Sequence, residues 1–392
     1  MNAALEDWRR DTPGTARVAH LNNCGAALMP LPVVERVKRH LDLEAEIGGY
    51  EAQDAAAEEL SAAYDSAARL LNAQPDEIAF VENATRAWDM AFYALRFQAG
   101  DVILTSVAEY ASNYIAFLQM RRRHGVEIRV VPDDEEGALD LAALERMIDG
   151  NVRLIAVTHV PTNGGLVNPA AGIGAVARAA GLPFLLDACQ SVGQMPVDVA
   201  EIGCTMLSAT GRKFLRGPRG TGFLYVARDW AERLEPPFLD LHAAVWTGTD
   251  RYEIAPGARR FENWEADYAA RLGLKTAIDY ALDIGLDRIG DRVTALATRL
   301  RSGLAALPGV TVMDKGRVQC GIVTFTVAGV DPARLVAELG RAGINISQSQ
   351  ASGTRLDMDA RNCPSLARAA PHYYNAEAEV DACIAAVAAL SR

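Results

Sequence analysis

Asp187 closes the apolar run "LPFLLDACQS", and Lys213 follows 26 positions later in "TGRKFLRGPRGTG", behind a short polar run and ahead of glycines and a proline. A lone lysine in such a setting has three readings: a phosphate-binding loop, a basic nucleic-acid patch, or an amine that does covalent chemistry. A Walker-type lysine follows its glycines, whereas Lys213 precedes them. The net charge of −11 and a pI near 5.2 repel phosphate backbones, so nucleic acid is not an expected partner. Covalent chemistry remains, with the glycines letting backbone pass close to a bound group.

Asp187 taken alone reads as a helix cap. Paired with a single lysine it meets the needs of a pyridoxal phosphate enzyme. There a lysine joins the aldehyde and a carboxylate keeps the pyridine nitrogen protonated, so that the ring accepts electrons. The phosphate needs backbone N–H groups at a helix start together with hydroxyls. "ENATRAWDM" offers Ala84, Thr85 and Arg86 at a strand-to-helix turn, although Asn and Thr cap many helices and the turn decides nothing alone.

Other chemistries have less support. The six histidines include no HExxH pair, and the six cysteines show no CxxC spacing. No metal site or disulfide framework is expected, and the thiols read as reduced and cytoplasmic. The N-terminal "MNAALEDWRRDTPG" lacks a signal core, and no run reaches the roughly 18 apolar residues of a membrane helix.

The elements that must position these residues alternate. "EELSAAYDSAARLL" puts Leu60, Tyr64, Ala67 and Leu71 on one helical face, ended by Asn72 and Pro75. "EIAFV", "DVILTS", "EIRVVP", "VRLIAVTH", "LPFLLD" and "CTMLSA" read as buried strands with helix-length gaps between most of them, and "GTGFLYV" as a further strand suited to an antiparallel place. The expectation is an α/β fold: a mostly parallel, seven-stranded-type sheet between helices, with ligands at the carboxyl ends of the strands. Near Arg288 the texture changes to a smaller α+β domain with strands "GVTVM", "GIVTFTV", "INIS" and "LARAAP". Expected domains are 21–287 (large, cofactor-binding) and 288–392 (small), with 1–20 folding onto the small one.

"LDACQSVGQMPVDV" followed by "SATGRKFLRGPRGTGFLYV" resembles the signature of the class V aminotransferases, fold type I pyridoxal phosphate enzymes that include cysteine desulfurases, isopenicillin epimerases and carbon–sulfur lyases. The likeness runs from "LNNCGAALMP" to "LARAAPHYYNAEAEVD". It implies that Lys213 is the Schiff-base lysine, Asp187 the pyridinium partner, and Gln190 a neighbour of the ring hydroxyl. Thr85 and Thr210 match phosphate positions. Tyr110 stands where many relatives stack a histidine on the ring, a packing role a tyrosine can fill; otherwise it is a core Tyr. Arg212 replaces a commoner histidine and is either a bidentate phosphate partner or a surface residue.

By the same resemblance Arg368 grips the substrate α-carboxylate, a planar fork that aligns the bond to be broken at Cα. Thr162 falls where desulfurases carry an asparagine, a part that its neighbour Asn163 could equally take, and Asn22 lies at the substrate side. Family members are homodimers with shared active sites, and "AVWTGTDRY" offers Thr247 or Thr249 to a partner's phosphate site. The stretches "EAEIGGYEA", "HVPTNGGLVNP" and "APHYYNAEAEVD" are most similar to the epimerase-like branch, which contains lyases of cysteine S-conjugates and sulfoxides. The expected reaction is α,β-elimination from such an amino acid to pyruvate, ammonia and a thiol or sulfenic product. Transamination, epimerisation, decarboxylating oxidative deamination and desulfuration are the alternatives, as is a cofactor-binding regulatory protein. A desulfurase needs a nucleophilic cysteine on a small-domain loop, and "INISQSQASGTRLDMDARNC" has Ser and Gln there, with Cys363 only five residues before Arg368.

Overall fold

The computed structural model describes residues 3–391; Met1, Asn2 and Arg392 lie outside the described residues. Seven runs form one sheet: β1 (Ile78–Val81), β2 (Val102–Ser106), β3 (Glu127–Val131), β4 (Val152–Thr158), β5 (Phe184–Asp187), β6 (Met206–Thr210) and β7 (Gly222–Val226). Their order is β1-β7-β6-β5-β4-β2-β3. Only β7 runs against the rest, pairing antiparallel with both β1 and β6. The sheet is therefore the mixed, mostly parallel one that the alternation predicts.

Both faces of the sheet are covered, which explains why its strands read as nearly unbroken apolar runs. In β4, Ile155 and Val157 join one core cluster while Leu154 and Ala156 join the other. In β5, Phe184 and Leu186 face one way and Leu185 the other. Each fully buried large aliphatic or Phe side chain stabilises the fold by about 1.5–3 kcal/mol. The helix expected from "EELSAAYDSAARLL" spans Ala57–Leu71, and Asn72 ends it in the left-handed region (φ 54°), where asparagine is better tolerated than most residues. Asn83 caps Ala84–Tyr93, its side chain accepting the Arg86 N–H.

The second sheet is antiparallel, built from β8 (Val310–Val312), β9 (Val323–Val327), β10 (Ser347–Gln350) and β11 (Ser365–Ala369) in the order β8-β9-β11-β10. Leu296, Leu300, Leu335 and Val380, from three helices, share its core. Residue 288 falls in the first turn of the helix Leu286–Ala305. At the other end of the chain, Ala19–His20 pairs parallel with Ile344–Asn345, and Leu21 joins the core cluster of the second sheet.

A polar clamp joins these parts to the segment after Lys213. Arg216 is 1% exposed and has a left-handed φ of 62°, unfavourable for a side-chain-bearing residue. Its guanidinium donates to the Leu28 carbonyl (2.8 Å), the Thr12 hydroxyl and the Tyr373 hydroxyl, over the faces of Tyr373 and Tyr374. His372 contacts the Phe214 carbonyl through Nε2 (2.8 Å), while its Nδ1 accepts the Tyr373 N–H (3.0 Å). Those partners require the neutral ring with the proton on Nε2. Burial first, then the Arg216 charge, push its pKa down to about 3.

Because the folded-state pKa of His372 is lowered, its contribution is intact above the unfolded value near 6.5 and is lost as pH falls towards 3. Full loss of one proton's discrimination costs about 1.4 kcal/mol per pH unit. In urea unfolding between about pH 6 and pH 4, His372→Gln is expected to show a pH slope shallower than wild type by about this amount. Parallel curves would remove His372 from the acid lability.

Candidate active site

The carboxyl ends of β4, β5 and β6 meet at one edge of the large sheet, and the sequence-predicted residues cluster there. Lys213 lies three residues beyond β6, in a turn closed by the Arg216 N–H on the Lys213 carbonyl (2.9 Å). The neighbouring loop presses on this turn. A Cβ at Gly193 (φ +92°) would lie 2.5 Å from the Phe214 carbonyl carbon, so only glycine fits. Among the described residues, the Lys213 side chain has no ion pair or hydrogen bond, whereas Lys275 pairs with Asp279, and Lys315 with Asp133 and Asp357. The Lys213 residue is half-buried, in dense surroundings. Burial lowers its pKa, Cys189 and Asp187 oppose the shift, and Arg212 and Arg368 reinforce it. A lysine held towards its neutral form is what a covalent amine needs.

Asp187, the last residue of β5, is 5% exposed. Its Oδ1 accepts the Cys189 N–H (3.0 Å) and its Oδ2 accepts Asn113 Nδ2 (3.0 Å). Asn113 was not singled out from the sequence; its signal was a polar side chain on the otherwise apolar inner face of the helix Ala111–His124. Gln190 donates to the Cys24 carbonyl (3.1 Å), while its Oε1 is buried without a partner. An orphaned acceptor is costly unless something fills the space beside it. Tyr110, 38% exposed, is the N-cap of that helix and lies outside the core.

The phosphate-side candidates come from two neighbouring elements. The N–H groups of Ala84 and Thr85 open a helix and have no intrahelical acceptor. A Cβ at Gly222 would sit 2.7 Å from the Asn83 carbonyl carbon and 2.9 Å from the Ala84 nitrogen, so β7 passes this helix start without room for a side chain. Thr210 ends β6 opposite Gly222. Arg86 stacks on Phe238, 4.9 Å from the ring centre, with its Nε buried and unpartnered. Arg212 is not free on the surface: it is half-buried and its guanidinium donates to the Gly25 carbonyl. Thr247 lies in the exposed hairpin Ala244–Ile254.

On the substrate side, Arg368 sits on β11 between Thr324 of β9 and Ser347 of β10. Its Nε donates to the Ser347 hydroxyl (3.2 Å), and its Nη1 to the carbonyl and hydroxyl of Thr162. The structure therefore brings Thr162, and not the Asn163 side chain, to Arg368. Asn163 is fully buried, with Nδ2 on the Thr354 hydroxyl (2.9 Å) and the Met358 sulfur (3.1 Å). Asn22 lies next to β11 through its bridge to Ala370.

An unpaired amine, an orphaned Gln190 acceptor, a helix start with free N–H groups and a strand that would clash with any Cβ there fit a phosphorylated pyridine aldehyde. The class V aminotransferase family matches residues 19–383.

The chain belongs to that family, and its cofactor is pyridoxal 5′-phosphate. It is 31% identical over 381 residues to a probable cysteine desulfurase of Methanothermobacter thermautotrophicus, covering 96% of this chain and 95% of that protein. It is 30% identical to a cysteine desulfurase of Serratia proteamaculans, with 98% of each chain covered. The apo structure of a cysteine desulfurase from Thermococcus onnurineus superposes with a TM-score of 0.90 at 28% identity, covering 98% of both chains. The chain is a fold type I enzyme of this class. The epimerase-like branch expected from the sequence is not what these relatives are named for.

Arg368→Ala is expected to raise KM for an amino-acid substrate about 100-fold, consistent with roughly 3 kcal/mol for a charge-assisted bidentate contact, and to leave the cofactor bound. Steady-state kinetics with the cofactor spectrum recorded in parallel checks this. An unchanged KM would take Arg368 out of the substrate site.

Proposed function

We propose that the protein cleaves the carbon–sulfur bond of an L-cysteine S-conjugate by β-elimination. The observation that carries this reading is the placement of its thiols. The segment Ser347–Asn362, which leads into β11 and Arg368, contains no cysteine. Cys363 is buried, its thiol directed to the Ser365 carbonyl (3.5 Å), and burial raises its pKa. Of the six thiols only Cys189 is partly exposed, and burial together with Asp187 raises its pKa too. A thiol held protonated is a poor sulfur acceptor, so the sulfur leaves with its own substituent.

The bound cofactor supplies an electron sink for charge developing at Cα. Arg368 grips the substrate carboxylate and sets the Cα–H bond towards Lys213. The Lys213 amine, held towards its neutral form, takes the Cα proton and returns it to the departing sulfur. Asp187 would serve as the partner of the ring nitrogen, and Tyr110 would pack against the ring. The balance is RS–CH2–CH(NH3+)–COO− plus water giving pyruvate, ammonium and RSH.

Cysteine desulfuration is the second reading, favoured by the names of the relatives at 30–31% identity. Incubation with L-cysteine, cystine and a cysteine thioether separates the two. The elimination reading expects pyruvate and thiol in equal amounts, with activity retained in Cys363→Ser. Alanine accompanied by a persulfide on a protein cysteine would overturn it and establish desulfuration. The hairpin Ala244–Ile254, with Trp246 78% exposed, is read as an arm that brings Thr247 or Thr249 to a second copy's phosphate site. Sedimentation of the loaded protein as a monomer would contradict that arm.

A further inference from the structure

Glu109 is 3% exposed and receives five hydrogen bonds. The Thr105 hydroxyl on β2 (3.0 Å) and the Thr158 N–H on β4 (3.1 Å) donate to Oε2. The Thr158 hydroxyl, the Tyr110 N–H (2.9 Å) and Asn113 Nδ2 (2.8 Å) donate to Oε1. The same Asn113 Nδ2 spends its other hydrogen on Asp187 Oδ2 (3.0 Å). One amide nitrogen thus serves two carboxylates. This fixes the amide orientation, because a flip would set its oxygen against both anions.

Two features point beyond a structural role. Neither Glu109 nor Asp187 has an ion-pair partner among the described residues, and both are buried; the Lys213 amine acts on Asp187 without forming an ion pair with it. Buried charges of this kind are retained where a positive partner completes them, and the protonated ring nitrogen is such a partner. Glu109 also anchors both candidates for holding the ring: Asp187 through Asn113, and Tyr110 through its backbone N–H.

We propose that Glu109 is the positioning residue of the cofactor site, aligning the Asp187 carboxylate through Asn113 and fixing the Tyr110 backbone directly. The proposal rests on the reading of Asp187 as the ring-nitrogen partner. The groups that donate to Glu109, from β2, β4, the Tyr110 backbone and the helix Ala111–His124, are neutral, and the Asp187 charge on β5 acts on it. Burial raises the Glu109 pKa to about 6, with Thr158 and Asn113 opposing and Asp187 adding, so it is ionised at pH 8.

The test compares full-length wild type with Asp187→Ala, Asn113→Ala and Glu109→Gln at pH 8 without substrate, each verified as folded by circular dichroism. The readouts are the dissociation constant for pyridoxal phosphate and the 15N chemical shift of its labelled ring nitrogen. Asn113→Ala and Glu109→Gln are each expected to weaken binding about 10-fold, the scale of losing an orienting bond to a charged group. Both are expected to move the shift towards that of neutral pyridine. Wild-type values in either folded variant overturn the proposal. A wild-type shift in Asp187→Ala would instead overturn the reading of Asp187 itself. Thr105→Val, which removes a donor from Glu109 and touches neither Asn113 nor Asp187, replaces Glu109→Gln should that variant not fold. The same direction is expected, and wild-type values again overturn the proposal.

Discussion

The site depends on an amine kept without a partner. Ammonium groups in folded proteins are normally solvated or paired, and Lys275 and Lys315 follow that rule here. Lys213 does not. Its environment is dense, and the guanidinium groups of Arg212 and Arg368 act on it with the same sign of charge. Asp187 and Cys189 pull the other way, and the net effect still lowers the pKa of the amine. The remaining architecture keeps that balance. Arg216 and His372 fasten the turn after Lys213 to the chain's two ends, and Gly193 lets the neighbouring loop close over it.

Strand identity was readable because strands covered on both faces leave long apolar runs, as in "VRLIAVTH" and "LPFLLD". The antiparallel place of Gly222–Val226 was also anticipated. The helices Leu31–Ile47 and Tyr268–Ile284 were not called from the sequence. The first starts with Leu-Pro and carries a mixed polar surface, with only Val33, Arg36 and His40 buried, so its periodicity is faint. The second is buried largely through alanine and glycine, which give a weak periodic signal.

Within the site, residues joined by chain proximity were legible and those joined by tertiary contact were not. Asp187, Gln190 and Lys213 stand in short motifs. Glu109 and Asn113 gain meaning only when β4 and β5 bring Thr158 and Asp187 to them. The choice between Thr162 and Asn163 needed the fold, because only the path of the loop shows that Asn163 turns to Thr354 while Thr162 meets Arg368. Arg212 likewise read as a phosphate partner or a surface residue, and its bond to the Gly25 carbonyl comes from a segment nearly two hundred residues away.

The most direct test fixes the cofactor with borohydride in the loaded protein, digests it and locates the adduct by mass spectrometry. The chain's lysines are Lys38, Lys213, Lys275 and Lys315, so the assignment is unambiguous. A pyridoxyl mass on the peptide containing Lys213 alone is the predicted result. An adduct on another lysine, or none on a folded and cofactor-saturated protein, would contradict the account.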